Sequence, residues 1–149
     1  MYKKSFPSST RCLEEMRRFV ESCCAEAQLS ADTVEQFKLA VDEACTNVIK
    51  HAYKGSDAQR IDISVIVKPD RFTVRIRDKG DQFRPADYHS PDLFDSVRRR
   101  RPGGFGVHIM RRVMDQIEYR TKGHINEVCL TKFLNGGGCN GGSGKGERE

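Results

Sequence analysis

The strongest constraint on the fold comes from two neighbouring segments in which apolar and polar residues alternate. Residues 61–67 carry an apolar side chain at every second position, and residues 72–78 repeat this pattern. A period of two is typical of a β-strand with one buried face. The intervening residues 68–70, Lys-Pro-Asp, are suited to a turn. The sequence therefore predicts an antiparallel hairpin.

Two helices are predicted before this hairpin, because apolar residues recur there at a spacing of three or four. The first covers about residues 11–27, with Thr10 as its candidate N-cap. The second covers about residues 33–53. Asp32 can accept hydrogen bonds from its first backbone N–H groups, and Gly55 can end it in a left-handed conformation.

The elements after the hairpin complete the fold prediction. A long polar loop covers residues 79–104, a third helix covers 105–115, and residues 117–120 and 127–134 form a second hairpin. Strands therefore come in antiparallel pairs, with helices before and between them. This order predicts an α/β two-layer sandwich, in which helices cover one face of a mixed, mostly antiparallel sheet.

Length and composition indicate one domain of a soluble protein. Residues 1–135 are enough to bury a core, whereas residues 136–149 are mainly glycine and polar residues and are expected to form a flexible tail. No apolar run reaches the roughly 18 residues that a membrane helix needs. The N-terminus also lacks the apolar stretch of a signal peptide. We therefore expect a cytoplasmic protein without a membrane partner.

Neither a metal cluster nor a nucleic-acid site is favoured by the residue types. The six cysteines include no Cys-x-x-Cys pair, and no histidine pair has zinc spacing, so free thiols are expected. The net charge of +5 owes much to residues 98–101, which are all arginine. This run could meet nucleotide phosphates, an acidic protein or nucleic acid. Because no aromatic residues are interleaved with it, we expect no direct nucleic-acid partner.

Three polar residues of the second helix, Glu43, Asn47 and His51, are spaced four apart and so share one helical face. That face borders the apolar stripe, where a cleft could form. A carboxylate can accept the proton of an attacking hydroxyl, and an amide oxygen is a ligand suited to Mg²⁺. The alternative is a solvated polar rim on a surface helix.

Asp78 ends the second strand of the first hairpin. It is in phase with the apolar residues of that strand, so its carboxylate is predicted to face the core. A buried carboxylate needs a partner, and the amino group of adenine is one candidate. Gly80 would let the backbone approach a flat ring, and Phe83 could form the floor or edge of the pocket. The alternative is that Asp78 only starts the turn.

The third predicted helix opens with Gly103, Gly104, Phe105 and Gly106. Backbone N–H groups at a helix N-terminus, together with the helix dipole, favour a bound anion such as phosphate. The alternative is a flexible turn beside a solvated basic loop. The segment is neither a P-loop nor a Rossmann fingerprint, because no Gly-Lys-Ser/Thr follows and no strand leads directly into it.

Taken in order, these segments resemble the motifs of a known ATPase superfamily. Residues 41–53, Val-Asp-Glu-Ala-Cys-Thr-Asn-Val-Ile-Lys-His-Ala-Tyr, resemble the N-box of the GHKL superfamily. Residues 78–83 resemble its G1 box and residues 104–110 its G2 box, and the ending at 130–135 is also similar. The likeness is greatest to the anti-sigma-factor serine kinases. It implies the Bergerat ATP-binding fold over most of the chain.

The resemblance implies a role for each matched residue. Asn47 would coordinate Mg²⁺, Glu43 would be the general base toward a substrate serine, and Asp78 would accept the adenine amino group. Residues 79–103 would form a lid over ATP. The other positions that the motifs place at the nucleotide are His51, Gly80, Phe83, Gly104, Phe105 and Gly106. The implied ligands are therefore ATP and Mg²⁺.

The implied activity is an ATP-dependent protein serine/threonine kinase. Its partners would be a sigma factor and an anti-anti-sigma protein of the STAS type, which it phosphorylates on serine, and the protein would form a homodimer. The alternative is an anti-sigma module that binds ATP with little or no kinase activity. One departure is visible: many relatives begin the last strand with Gly-Thr, and that threonine helps to bind adenine through water. Residues 125–128 read Ile-Asn-Glu-Val instead.

Overall fold

A computed structural model describes residues 1–81 and 106–134 of the chain. Within these ranges lie five strands, three α-helices, one 3-10 turn and one π-helical turn. The strands are β1 (Tyr2–Pro7), β2 (Arg60–Lys68), β3 (Arg71–Asp78), β4 (Gln116–Lys122) and β5 (Ile125–Phe133). The helical elements are the 3-10 turn Thr10–Cys12, α1 (Leu13–Glu26), α2 (Ala31–Asn47), the π-helical turn Val48–Ala52 and α3 (Gly106–Val113).

The strands form one sheet in the order β1-β2-β3-β5-β4. Each neighbouring pair is antiparallel. The two predicted hairpins are present, and β5 of the second hairpin pairs directly with β3 of the first. Helix α1 packs on β1 and β2, and α2 packs on β3. The predicted α/β class, with helices packed on a mostly antiparallel sheet, is confirmed.

The core lies between the helices and the inward residues of the sheet. Every second residue of β3 is buried, including Val74 and Ile76, and Ile63 of β2 is buried beside them. The rings of Phe37 on α2 and Phe72 on β3 meet at a centroid distance of 4.9 Å. Full burial of one large apolar side chain stabilises a fold by about 1.5–3 kcal/mol. This packing fixes α2 against β3, the two elements that carry Asn47 and Asp78.

Strand β1 is absent from the sequence-based prediction. It pairs antiparallel with β2 at the edge of the sheet. Of its six residues only Phe6 is buried, so the strand has no run of apolar residues by which alternation could reveal it. Lys3 and Lys4 are exposed, and charged side chains on an edge strand oppose pairing with another chain.

The predicted helix boundaries need three corrections. Ser9, not Thr10, accepts the hydrogen bond from the Arg11 backbone N–H, and a 3-10 turn precedes α1. Ser30, not Asp32, caps α2, because its hydroxyl accepts from the Thr33 N–H at 3.2 Å.

The third correction concerns the end of α2. The α-helix stops at Asn47 and continues as a π-helical turn rather than as regular helix to residue 53. Gly55 follows at φ +85°, and its N–H donates to the Ile49 carbonyl at 2.8 Å. The left-handed termination predicted for Gly55 is therefore present.

The described residues also bear on membrane helices, cysteine pairing and metal clusters. Within residues 1–81 and 106–134, none of the helices combines the length and the hydropathy of a membrane-spanning helix. Cys12, Cys23, Cys24, Cys45 and Cys129 are free thiols. No group of three or more His, Cys, Asp or Glu side chains within residues 1–81 and 106–134 is arranged to hold a metal ion.

Candidate functional site

A cavity lies where the end of α2 faces the sheet. Its empty volume, which includes open solvent at its mouth, is about 460 Å³. Asn47 and Val48 line it from the helical side, and Asp78 lines it from the end of β3. The remaining walls include Met110 of α3, Tyr119 of β4, and Asn126 and Val128 of β5. The structure thus brings Asn47 and Asp78 into one site.

Asn47 is buried at the helical wall of this cavity. It is the last residue of α2, and its side chain is only 5% exposed. Its Nδ2 atom is buried and has no hydrogen-bond partner among the residues that the structure describes. Buried amide groups are nearly always hydrogen-bonded in folded proteins. An unpaired buried amide that lines a cavity is therefore consistent with an asparagine whose hydrogen-bond partner is a bound ligand.

Glu43 lies one helical turn before Asn47 and is half-buried. Burial raises the pKa of its carboxyl group, the charge of Asp42 raises it further, and Lys50 lowers it. A carboxylate with a raised pKa is a stronger base near neutral pH. Among the described residues that line the cavity, however, Glu43 is absent.

His51 lies in the π-helical turn that follows α2, and not in the regular α-helix that was predicted there. Its place on one helical face with Glu43 and Asn47 stays a prediction. His51 is also absent from the described lining of the cavity. Burial, followed by the nearby charge of Lys50, lowers the pKa of its imidazole. His51 is consequently a neutral side chain near pH 7.

Asp78 is buried, with 6% of its surface exposed, as its phase in the strand predicts. Its Oδ1 accepts hydrogen bonds from the Gly80 backbone N–H and from Asn126 Nδ2, both at 2.9 Å. Burial raises the pKa of this carboxyl group, whereas the bonds from Asn126 and Gly80 lower it. The two donors thus stabilise the charged carboxylate in a place that otherwise disfavours charge.

Gly80 is required by contact with the protein's own backbone. A Cβ atom at this position would lie 2.4 Å from the Ala52 carbonyl oxygen. The same oxygen accepts from the Asp81 N–H at 2.8 Å. Beside it, the Tyr53 hydroxyl accepts from the Lys79 N–H at 2.8 Å and donates to the Arg60 carbonyl at 2.7 Å. The chain leaving β3 is therefore held against the end of the π-helical turn.

Replacing Gly80 with alanine is expected to reduce the free energy of unfolding by about 1–3 kcal/mol, because the added methyl group overpacks against backbone atoms that cannot rotate away. Urea denaturation followed by circular dichroism measures this loss. Lys79→Ala is the matched control, since Lys79 bonds to Tyr53 through its backbone N–H. Equal stability of the Gly80→Ala and Lys79→Ala proteins would contradict the close approach.

Asn126 was missed as a site residue by the sequence analysis, which noted the segment only as a departure. Its Nδ2 donates to Asp78 Oδ1 and to the Gly80 carbonyl, both at 2.9 Å. It lies opposite Asp78 in the register of β3 and β5. No local pattern marks it, because its partners are 48 and 46 residues away in the chain.

The phosphate-binding part of the predicted site is only partly covered by the structure. The described part of helix α3 covers Gly106–Val113, within the predicted helix 105–115. Phe83, Gly104, Phe105 and residues 82–103 of the predicted lid, which include the arginine run, lie outside the described residues. The proposed contacts of these residues with a nucleotide stay predictions.

Comparison with known proteins decides the family. Residues 6–132 match the family described as the histidine kinase-like ATPase domain. The chain belongs to this family. The motif resemblance drawn from the N-box and the two glycine boxes is thereby confirmed.

Serine-protein kinases are among the proteins that this histidine kinase-like ATPase resembles. It is 36% identical over 110 residues to the serine-protein kinase RsbW of Bacillus subtilis, covering 70% of this chain and 68% of the relative. The protein of the same name from Bacillus pumilus is 34% identical over 110 residues, covering 70% and 67%. That of Listeria monocytogenes serotype 4b is 30% identical over 123 residues, covering 80% and 78%.

The residues of this ATPase domain fit a magnesium nucleotide better than a metal held by protein ligands alone. The described part of the chain offers no cluster of carboxylates, histidines or cysteines for a metal. It does offer Asn47 at the cavity wall. Mg²⁺ usually takes one or two protein oxygens and fills its remaining positions with water and phosphate oxygens. A single amide oxygen beside a nucleotide is compatible with that preference.

Proposed function

We propose that this histidine kinase-like ATPase binds Mg-ATP in the cavity between α2 and the sheet. We further propose that it phosphorylates a serine of a STAS-type anti-anti-sigma protein and thereby controls the availability of a sigma factor. The single observation that carries the proposal is the meeting of a buried asparagine and a buried aspartate across one cavity, Asn47 and Asp78. The names of the relatives, serine-protein kinases, support the choice of serine as acceptor.

Each wall of the cavity would bind a different part of ATP. The Asp78 carboxylate would accept a hydrogen bond from the adenine amino group, since a carboxylate only accepts. The Asn47 amide oxygen would hold Mg²⁺, whose charge, when bound, stabilises the phosphates in the transition state. Gly106 at the start of α3 would lie by the phosphates, where the helix dipole favours negative charge.

The transfer step would use Glu43 as its base. The serine Oγ attacks the γ-phosphorus, the bond to the β–γ bridging oxygen breaks, and ADP leaves. The serine proton passes to the Glu43 carboxylate. The raised pKa of this group makes it a better proton acceptor than an ordinary surface glutamate. The STAS protein, rather than water, would supply the hydroxyl.

A second candidate function is an anti-sigma module that binds ATP without transferring phosphate. The observation that favours it is the absence of Glu43 from the described lining of the cavity. In that case ATP would stabilise the shape that binds the sigma factor. Both candidates require ATP in the same cavity, and only the kinase requires Glu43 to reach a substrate hydroxyl.

Incubation with γ-labelled ATP and a STAS-type protein tests the proposal. We expect label on a serine of the STAS protein, identified by mass spectrometry. A STAS protein whose acceptor serine is replaced by alanine is the control and should stay unlabelled. Bound ATP with no label on any partner would reject the kinase in favour of the non-catalytic module.

A further inference from the structure

Asn126 occupies a strand position that connects three elements at the cavity. In the sheet register it lies opposite Asp78 on β3 and opposite Thr121 on β4. Its Nδ2 reaches Asp78 Oδ1 and the Gly80 carbonyl oxygen, each at 2.9 Å. Its Oδ1 accepts from the Thr121 hydroxyl at 3.0 Å. Asp78, Thr121 and Asn126 all line the cavity.

The orientation of the Asn126 amide follows from these partners. A carboxylate oxygen and a carbonyl oxygen can only accept, so the group that faces both must be the NH₂ group with its two donors. The amide oxygen then faces Thr121, whose hydroxyl can donate. Both ends of the amide are hydrogen-bonded in this orientation. In the reversed orientation the Asn126 amide oxygen would face Asp78 Oδ1 and the Gly80 carbonyl oxygen, which are both acceptors.

The same bonds fix the rotation of the Asp78 carboxylate. Asn126 and the Gly80 backbone N–H both donate to Oδ1. Two donors on one oxygen determine where the other oxygen, Oδ2, lies with respect to the cavity. Hydrogen bonds to an ionised group are stronger than those between neutral groups. Asn126 therefore acts on the direction and on the charge of the carboxylate together.

We propose that Asn126 is a positioning residue for base recognition, which holds Asp78 so that one carboxylate oxygen meets the exocyclic amino group of a 6-aminopurine nucleotide. This inference rests on the proposed binding of ATP in the cavity and names a residue that sets its base preference. Asn126 need not touch the nucleotide. It acts through Asp78, and it also holds the Gly80 carbonyl at the start of the segment that follows β3.

A positioning role for Asn126 and a purely structural role predict different changes in nucleotide binding. If Asn126 acts through Asp78 on the amino group, its replacement weakens the binding of nucleotides that carry this group. The binding of nucleotides that lack the group is then unchanged. If Asn126 only supports the strand, its replacement weakens the binding of nucleotides with and without the amino group equally. Purine riboside triphosphate, which has hydrogen in place of the 6-amino group, is therefore the comparison ligand for ATP.

The experiment is isothermal titration calorimetry of Asn126→Ala with both nucleotides in the presence of Mg²⁺. We expect about a tenfold loss of affinity for ATP and less than about a twofold change for purine riboside triphosphate. Asn126→Asp keeps the size of the side chain but places an acceptor against Asp78, so we expect a larger loss for ATP. Gln116→Ala, an exposed position on β4, is the control and should bind ATP like the wild type.

Each contrary outcome has a distinct meaning. Equal losses for ATP and purine riboside triphosphate in both variants would overturn the positioning role, as would unchanged ATP affinity in Asn126→Asp. Equal affinity of the wild type for the two nucleotides would overturn it as well, while leaving ATP binding in place. Binding of neither nucleotide by the wild type would reject the proposed function itself and the inference with it. Circular dichroism of each variant confirms that the proteins compared are folded.

Discussion

Asp78→Asn is expected to weaken ATP binding roughly a hundredfold while leaving the protein folded. In the variant, Oδ1 can still accept from Gly80 and Asn126, as it does in the wild type. The second oxygen, however, becomes an NH₂ group, which donates and cannot accept from the adenine amino group. A site built to bond a polar group discriminates strongly when that bond is lost. Isothermal titration calorimetry with ATP and Mg²⁺ measures the change.

Inosine triphosphate provides the matched control for this variant. Its 6-oxo group accepts, so the new NH₂ group of Asp78→Asn should improve its binding relative to the wild type. A parallel loss of affinity for both nucleotides would indicate damage to the cavity and not a changed hydrogen bond. An unchanged affinity for ATP would contradict the assignment of Asp78 to the base.

The pH dependence of stability gives a second check on the same substitution. Because the folded-state pKa of Asp78 is raised above its ordinary value of 3.8, the folded protein holds this proton more tightly than the unfolded chain does. Stability from this group is therefore present at low pH and is lost as pH rises from the ordinary pKa through the raised one. Relative to Asp78→Asn, the wild type should lose free energy of unfolding over that interval. Denaturant titrations at several pH values measure the difference.

Glu43→Gln is expected to retain ATP binding and to lose phosphotransfer by roughly 10²–10⁴-fold, the usual contribution of a general base. Glutamine keeps the size of the side chain and cannot accept the serine proton. In the wild type, transfer should fall as pH drops below the raised pKa of Glu43, since only the carboxylate form acts as a base. Transfer to a STAS protein from labelled ATP, with ATP affinity measured separately, tests both statements.

Asp42→Asn is the matched control for Glu43. Asp42 is the neighbouring carboxylate on α2, and it pairs with Arg17 of α1. Its charge also raises the pKa of Glu43, so we expect Asp42→Asn to retain transfer with a pH dependence moved to lower pH, whereas Glu43→Gln loses transfer. Retained transfer in Glu43→Gln would remove Glu43 from its proposed role. Lost transfer in both variants would indicate that the helix, and not one carboxylate, had been disturbed.

The sequence was sufficient for those parts of the fold that depend on periodicity. Alternation in residues 61–67 and 72–78 identified β2 and β3, and it placed Asp78 on the buried face. It did not identify β1, whose single buried residue, Phe6, leaves no pattern. The strand forms because β2 offers it a hydrogen-bonding edge, which is a tertiary effect.

Some site residues could be found from local sequence patterns, and others depend on tertiary contacts. Asn47 and Asp78 were found from local spacing, and the structure places both at one cavity. The π-helical turn that contains His51 has no periodic signal in the sequence. Asn126 was not found, because its significance comes from contacts with residues on β3 that lie far away in the chain.

All the proposed activities depend on Mg-ATP binding in the cavity at the end of α2, with Asn47 as the protein ligand of the metal. Calorimetric titration of the wild type and of Asn47→Ala with ATP, each with Mg²⁺ and with EDTA, tests it most directly. We expect binding at one site per chain, tighter with Mg²⁺ in the wild type, and loss of that magnesium-dependent gain in Asn47→Ala. Absence of ATP binding by the wild type, or an equal magnesium-dependent gain in both proteins, would contradict the proposal.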